Sequence, residues 1–468
     1  MRTVTAGRVG IGMDRLADRD VVVVGAGVVG AAIARDLARL DLRVTLLEAR
    51  PDVGAGTSKA NTALLHTGFD SKPGTLEARL VARGYELLSE YAPRVGIPIE
   101  RTGALLVAWN DDQLAEFPGI AERSRANGYD VMEEIGAAEL ARREPHLGPG
   151  ARGALEVAGE ALICPFTTPL AFATEAVLAG CELRRSTPVT GVARLSEGGF
   201  RVETPAGALT TRMLVNAAGL ASDEIDHMLG GSGFSVTPRR GELIVFDKLS
   251  RRLVNHIVLA VPTKITKGVL VSPTVFGNVM VGPTADDVEQ KGDTSSTAGG
   301  LEYLRAETAR IMPGLLDYDV TAVYVGLRAA TEHVDFQIRF EDGYACVGGI
   351  RSTGLTASMA IAEHVRDGLD LGDVRPRDGL PELRMPQLGE AFERPFARPD
   401  LIGSDADYGR IVCFCERVTR GEIRDAFESP IAPVDLDGLR RRTRAHMGRC
   451  QGFFCGAQLA AMLEARGA

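Results

Sequence analysis

The first sustained apolar segment of the chain, Val21 to Val24, runs directly into glycines, continues as a helical pattern from Ala31 to Leu40 and ends in a second apolar run, Leu42 to Leu47. A short apolar run, a 3.6-residue period and another short apolar run predict a strand, a crossover helix and a parallel strand, a βαβ unit. Further strand-like segments follow at Gly103 to Trp109, Gly199 to Glu203, Leu214 to Ala217, Glu242 to Phe246, Val269 to Ser272, Asn278 to Val281 and Tyr344 to Val347. Helical patterns at Leu76 to Tyr91 and Ala137 to Glu144 interrupt them. Strands that arrive both with and without intervening helices predict an α/β body in which a parallel-sheet domain, assembled from separate segments, is interwoven with a mixed or antiparallel-sheet domain. Periodicity fades between about Asp370 and Arg410, where Pro376, Pro381, Pro386, Pro395 and Pro399 accumulate. The expected organisation is a discontinuous body over residues 19–370, a Pro-rich linker or draped arm over 371–410 and a small tail domain over 411–468.

Composition narrows the class. At ~150 residues per domain a chain of 468 residues holds about three domain-sized units. With 45% hydrophobic and 25% charged residues and a mean hydropathy of +0.02, it is neither disordered nor a multi-span membrane protein. A net charge of −9 argues against a nucleic-acid partner. The first nineteen residues lack the apolar stretch of a secretory signal, and no segment reaches ~18 uninterrupted apolar residues. The expected address is cytoplasmic, with Met13 as a second candidate start. Seven cysteines rule out a complete internal disulfide framework. Cys164, Cys181 and Cys346 are scattered, whereas Cys413, Cys415, Cys450 and Cys455 crowd into the last 56 residues. In a reducing compartment such clustered thiols are metal or redox ligands rather than disulfide partners.

The glycines after the first strand, Gly25-Ala26-Gly27-Val28-Val29-Gly30, satisfy G-x-G-x-x-G between a strand and a helix, which predicts a Rossmann-like dinucleotide site. Gly25 permits the tight turn, Gly27 lets backbone amides approach a pyrophosphate and Gly30 allows close helix packing. Glu48, 23 residues after Gly25, ends the second strand where a carboxylate accepts from ribose hydroxyls. Gly54, Gly56, Thr57, Ser58 and Asn61 then supply small donors and close backbone approach. This Gly-Thr-Ser segment, with Asn216-Ala217-Ala218-Gly219 and Gly348-Gly349-Ile350-Arg351-Ser352-Thr353-Gly354-Leu355, resembles the D-amino-acid-oxidase-like superfamily of FAD-dependent oxidoreductases. The resemblance implies FAD rather than NAD. It places Val189, Ala218, Gly219, Gly349, Ser352, Gly354 and Leu355 beside the cofactor, together with Val28, Val29, Thr57 and Ser58.

Between the tail cysteines lie one, thirty-four and four residues in turn. Four thiolates in two close pairs suit a soft metal centre, either a [2Fe-2S] cluster or structural zinc, for which the C-x-C spacing is less apt. Gly448, Gly452 and Gly456 would let backbone N–H groups reach the sulfurs. The segments CFCERVTRGEIRDAF and GRCQGFFCGAQ resemble the bacterioferritin-associated-ferredoxin-like [2Fe-2S] domain. Arg440, Arg441, Arg442, Arg444 and Arg449 either offset cluster charge or form a solvated face. A flavin joined to a one-electron centre describes a dehydrogenase that exports electrons. The whole chain, with RRGELIVFDK and GVLVSPTVFGNVMVGPTADD in its interior, resembles the anaerobic-type glycerol-3-phosphate dehydrogenase large-subunit family.

That resemblance implies oxidation of sn-glycerol 3-phosphate to dihydroxyacetone phosphate, with electrons passed through the cluster to a quinone-linked acceptor. Rival readings are an L-2-hydroxy-acid (such as 2-hydroxyglutarate), opine or amino-acid dehydrogenase, or a non-catalytic electron-transfer subunit. The resemblance puts His66, which lies in the strand-like run Thr62 to Gly68, beside the flavin, either as proton acceptor for an alcohol or as a flavin hydrogen-bonding residue. Arg328 is the expected catalytic-site anchor for a small anionic substrate, and Arg351 a second anion ligand or a partner of a nearby carboxylate. Lys264 and Lys267 are weaker phosphate candidates; Tyr324, Tyr344 and Trp109 read as packing residues. The chain ends thirteen residues after Cys455, so membrane association, on the inner face of the plasma membrane, is expected only through a second flavoprotein or membrane-anchor subunit.

Overall fold

The computed structural model describes residues 17–262, 268–390 and 392–466, so Met13, Lys264 and Lys267 lie outside the described residues. The strand Arg19–Val24 sits inside an eight-stranded sheet, parallel to Val44–Leu47 on one side and to Leu209–Asn216 on the other. Glu182–Arg184 extends the sheet beyond Val44–Leu47, and Tyr344–Gly348 pairs parallel to Leu209–Asn216. The strands covered on both faces are nearly uninterrupted apolar runs, and Val21, Val22 and Val23 are fully buried. The helix Val28–Ala38 packs on this sheet between the helices Thr167–Leu178 and Gly354–Gly368. It begins three residues before the predicted start because Gly27, in extended backbone, already caps it.

A second sheet of nine strands is mixed: Ala104–Ala108 pairs parallel to Ile257–Ala260, and the other pairings are antiparallel. Its longest member, Val320–Ala330, lies antiparallel to Thr237–Phe246 over nearly its whole length. Periodicity alone passes over this strand, because Gly326 and Arg328 interrupt its apolar pattern and Val320 and Val323 are exposed. The run Thr62 to Gly68, expected as strand-like, pairs only at Leu64–Leu65. Beyond it the His66 N–H goes to Thr356 Oγ1 and the Thr67 N–H to the Glu160 carboxylate, so these backbones leave the ladder.

The described residues of 371–398 carry no strand or α-helix and lie against the body. Arg377 donates to the carbonyls of Leu40 and Leu42, the Met385 N–H donates to the Val95 carbonyl, and Met385 and Leu388 are buried. The tail has a two-stranded ribbon, Ile411–Cys413 with Val418–Thr419, and helices Arg420–Glu428, Leu436–Thr443 and Gly456–Glu464. Val412, Val418, Ile423, Leu439, Leu459 and Leu463 form its core. A reciprocal cap, Thr419 with Glu422, starts its first helix. Among the described residues no helix is long and apolar enough to cross a membrane.

The tail arginines correct both sequence expectations for most of the group. Arg441 and Arg442 are buried against the body, where Asp52 accepts from Arg441 Nη2 at 2.7 Å and from Arg442 Nη1 and Nη2 at 2.6 and 2.8 Å. Lys59 reaches Asp437 at 3.0 Å, Arg440 also pairs with Asp437, and Arg444 meets Glu416 while stacking over Phe276. Arg441, Arg442 and Arg444 are anchors whose charge is answered by carboxylates, not a solvated face, whereas Arg440, 39% exposed, pairs, among the described residues, only within its own helix. Arg449, beside Cys415, remains close enough to act on a thiolate while it pairs with Asp247. Removing one member of a buried ion group leaves the others uncompensated, at a cost of about 3–5 kcal/mol. We therefore expect Asp52→Ala to destabilise the tail by that order and to expose residues 371–410 to proteolysis; a urea-unfolding shift below ~1 kcal/mol would count against the anchoring role.

Candidate functional site

The two sheets meet around a cavity of about 590 Å³. Two helix N-termini open onto it: Gly27 to Val29, at the start of Val28–Ala38, and Ser352 to Leu355, at the start of Gly354–Gly368. Neither is capped by its own N-cap side chain or has an acidic residue in its first turn, so, apart from the Val28 N–H, both turn N–H groups and partial positive charge toward the cavity. The glycine turn tolerates no side chain: Gly25 has φ +100, a Cβ there would lie 2.5 Å from the Ala217 carbonyl oxygen, and one on Gly30 would lie 1.8 Å from the Gly25 carbonyl oxygen. Residues of this turn fit the pyrophosphate of a dinucleotide.

Gly27, Val28, Val29, Thr57, Ser58, His66, Gly219, Arg328, Arg351, Ser352, Gly354 and Leu355 all line the cavity, so residues far apart in the chain come together. Gly25, Gly30, Glu48, Val189, Ala218 and Gly349 do not line it. Glu48 lies behind the turn, accepting from the N–H groups of Ala26 and Arg50 at 2.8 Å each, and burial pushes its carboxyl up despite those bonds. Ser58 Oγ accepts from the Val28 N–H at 2.9 Å, which ties the Gly-Thr-Ser segment to the helix start. Thr57 Oγ1 donates to the Leu327 carbonyl at 2.8 Å and Tyr324 donates to the Asn61 carbonyl at 2.8 Å, so the same segment fixes the strand that carries Arg328.

Arg328 is partly buried. Its one hydrogen bond is a long one, to the Thr284 carbonyl at 3.4 Å, and among the described residues no carboxylate pairs with it. Directly across the strand pair stands Arg239, which also lines the cavity and is engaged by the half-exposed Asp287 at 2.6 and 3.0 Å. Burial and the Arg239 charge both lower the Arg328 pKa, the signature of a cation without its anion. Arg351 differs: Glu77 meets it at 3.2 Å and also accepts from Thr353.

His66 is held between two acids, with Nδ1 2.7 Å from Glu160 Oε1 and Nε2 3.0 Å from Asp70 Oδ1. Burial opposes its charge, but Glu160 and Asp70 outweigh that and raise the pKa to about 10. At neutral pH the ring is an imidazolium donating at both nitrogens, so it does not stand ready as a free base. Glu160 Oε1 also takes both donors of Thr67, at 2.8 Å each. Sequence reading missed Glu160, Asp70 and Arg239. Glu160 lies 94 residues from His66. Asp70 is only four residues on, but the strand-like reading of this segment hid the proximity. Arg239 is disclosed by strand register alone.

In the tail, burial and the neighbouring Cys450 and Cys413 push the Cys415 thiol up, and burial and the neighbouring Cys413 and Cys450 push that of Cys455 up to about 11, so the four cysteines stand together. Among the described residues no three candidate ligands surround a single ion site; by chemistry, four thiols in two close pairs suit a two-iron cluster. Backbone N–H groups of Phe454, Gly452 and Phe453 point at Cys450 sulfur and lower its pKa; that of Cys450 reaches Cys415, and that of His446 reaches Cys455. Gly452, at φ +83, is required here because a Cβ would fall 2.0 Å from His446 Nε2.

Residues 20–367 match the FAD dependent oxidoreductase family, and residues 411–465 match the BFD-like [2Fe-2S] binding domain. A glycerol 3-phosphate dehydrogenase of Caloramator mitchellensis is 34% identical over 95% of this chain and 93% of its own. One subunit of the anaerobic glycerol-3-phosphate dehydrogenase of Escherichia coli K12 is 27% identical over 95% of this chain and 88% of its own. Among solved structures, dithionite-reduced L-alpha-glycerophosphate oxidase from Mycoplasma pneumoniae with FAD bound superposes with a TM-score of 0.74, at 28% identity, over 79% of this chain and 99% of its own.

Two measurements test this geometry. In the wild type, His66 should titrate near pH 10, and Glu160→Gln should lower that midpoint by more than about one unit in an NMR titration. Because the folded pKa lies above the ordinary 6.5, the stability His66 adds is complete below about pH 6.5 and is lost as pH rises toward 10; a folded-state midpoint near 6.5 would refute the double ion pair. Replacing Cys450 and Cys455 together by serine should abolish iron–sulfur absorption while leaving the flavin spectrum, and unchanged iron content would overturn the ligand assignment.

Proposed function

This chain belongs to the FAD dependent oxidoreductase family, and from that premise we propose that it dehydrogenates sn-glycerol 3-phosphate to dihydroxyacetone phosphate and releases the electrons one at a time. The observation that carries the substrate is the partly buried Arg328, without a carboxylate partner among the described residues, opposite Arg239 at the cavity wall. A phosphate dianion answers two guanidiniums, whereas a carboxylate answers one. Asp287 does not stand in the way, since an exposed ion pair with Arg239 is worth at most ~1 kcal/mol and yields readily to a dianion. Relatives named for glycerol 3-phosphate across almost the full chain length support the same reading.

When bound, FAD supplies the two-electron acceptor and the [2Fe-2S] cluster a one-electron outlet. The chain's own residues bind, orient and manage the proton. Arg328 and Arg239 hold the phosphate, which fixes how far the carbinol carbon reaches along the cavity. Glu160 keeps His66 Nδ1 a donor, so Nε2 and Asp70 form the edge at which the hydroxyl proton is held. The resting ring is already charged; it passes its Nε2 proton to Asp70 or water before it accepts that of the substrate. The two helix N-termini at Gly27 and Ser352 exert a steady positive potential where negative charge accumulates. Onward transfer is to a quinone-linked acceptor, with any membrane contact made through a partner, a reading supported by the Escherichia coli relative, which is named as one subunit of its enzyme.

Glycerol 3-phosphate should bleach the flavin under anaerobic conditions. Bleaching only by 2-hydroxy acids or amino acids would overturn the substrate, and bleaching by no candidate would favour an electron-transfer subunit. Arg328→Ala should lower kcat/KM by roughly 30-fold or more, corresponding to ~2 kcal/mol for a lost charge-assisted contact. Arg239→Ala should cost less, and unchanged kinetics in both variants would retire the anion site.

A further inference from the structure

Among the described residues the exposed phenylalanines are Phe414, Phe453 and Phe454, at 69%, 84% and 70% exposure. All three lie in the intervals between cysteine ligands: Phe414 between Cys413 and Cys415, Phe453 and Phe454 between Cys450 and Cys455. Phe453 and Phe454 pack edge to face at 5.2 Å, and the carboxamide of Gln451 bonds the Thr321 carbonyl, which brings the exposed Val320 and Val323 into the same neighbourhood. The cysteines are asymmetric in the same direction: Cys413 and Cys455 are buried, while Cys415 and Cys450 are partly exposed. Nothing in the tail's folding explains three uncovered aromatic rings, since its core is complete without them.

We propose that this patch is the docking face for a small soluble one-electron carrier protein, apolar at its contact centre and acidic at its rim, which receives electrons from the cluster site and relays them toward the quinone-linked acceptor. Two observations select that occupant. At ~150–250 Å² per aromatic side chain the three rings present roughly 350–550 Å², short of the ~800 Å² per partner of a stable interface and within the range of transient redox encounters. A permanent subunit or a second copy of this chain needs more. The rim carries two exposed guanidiniums, Arg417 and Arg449, at 52% and 48%, with Asp247 and Asp319 beside Arg449 and Glu390 beside Arg417. Glu390, which faces Arg417 at 3.9 Å, is itself held by Lys248 at 2.8 Å. Each encounter moves one electron from the cluster to the carrier's redox centre, oxidising one and reducing the other, with no bond or proton exchanged. The inference rests on the electron-exporting reading of the tail and goes beyond it in naming the exit.

The test uses the full-length holoenzyme reduced by dithionite, so that substrate oxidation plays no part. Oxidised soluble cytochrome b5, an acidic carrier, is the protein probe, and ferricyanide is the small acceptor that needs no docking face. With Phe453→Ser/Phe454→Ser the second-order rate of cytochrome b5 reduction should fall about tenfold or more, while iron content and ferricyanide reoxidation match the wild type. Basic cytochrome c should be reduced more slowly than cytochrome b5 at low salt. Equal cytochrome b5 rates in variant and wild type overturn the proposal. So does concentration-dependent dimerisation in sedimentation that the variant abolishes, because it assigns the patch to a second copy. Should the variant lose its cluster, hydrogen exchange in the wild type decides: slowing at 411–418 and 450–456 on adding oxidised cytochrome b5 supports the face, and no slowing refutes it. Failure of substrate bleaching with these results intact would overturn the substrate reading alone.

Discussion

Two of the hydrogen bonds between the halves of the body run between one segment and one strand: Thr57 donates to the Leu327 carbonyl and Tyr324 to the Asn61 carbonyl. The segment, which donates one bond and accepts the other, lies between the dinucleotide turn and His66, and the strand carries Arg328. Cofactor end and substrate end are thereby set against each other by contacts that involve neither ligand. The Val28 N–H, bonded to Ser58, extends the same chain of constraints to the start of the first helix. The cavity is the space these bonds hold open between a parallel sheet and a mixed one.

Charge is treated differently at each wall of that cavity. His66 and Arg351 are matched by carboxylates, whereas Arg328 is partly buried with none among the described residues. Burying an ion without a partner is costly, and a fold retains the arrangement where a ligand completes it. The same logic separates the tail arginines: Arg441 and Arg442 are spent on Asp52, while Arg449 stands beside Cys415.

Much of this was legible in local sequence. The glycine turn, the Gly-Thr-Ser segment and the paired cysteines are short motifs whose chemistry needs fixed spacing, and each stands where the fold needs it. The partners of His66 were not legible, because Glu160 arrives from a turn between two short strands far along the chain. Arg239 opposes Arg328 through a register that no single strand encodes. The long strand Val320–Ala330 escaped because its alternation is broken by the residues that serve the cavity, Gly326 and Arg328. Local patterns disclosed the parts that act through backbone; the parts that act through pairing of distant side chains required the assembled structure.

Asp52 stands on the loop between Glu48 and Thr57, within ten residues that also form the rear of the nucleotide turn and the start of the cavity wall. A body separated from its tail would leave that carboxylate with only Arg185, 3.7 Å away, to balance it. The loop is therefore held under load by the electron-carrying domain. Entry and exit of electrons share one mechanical support, and the tail behaves as a keystone of the oxidising site, whose loss would loosen the nucleotide loop as well as close the exit.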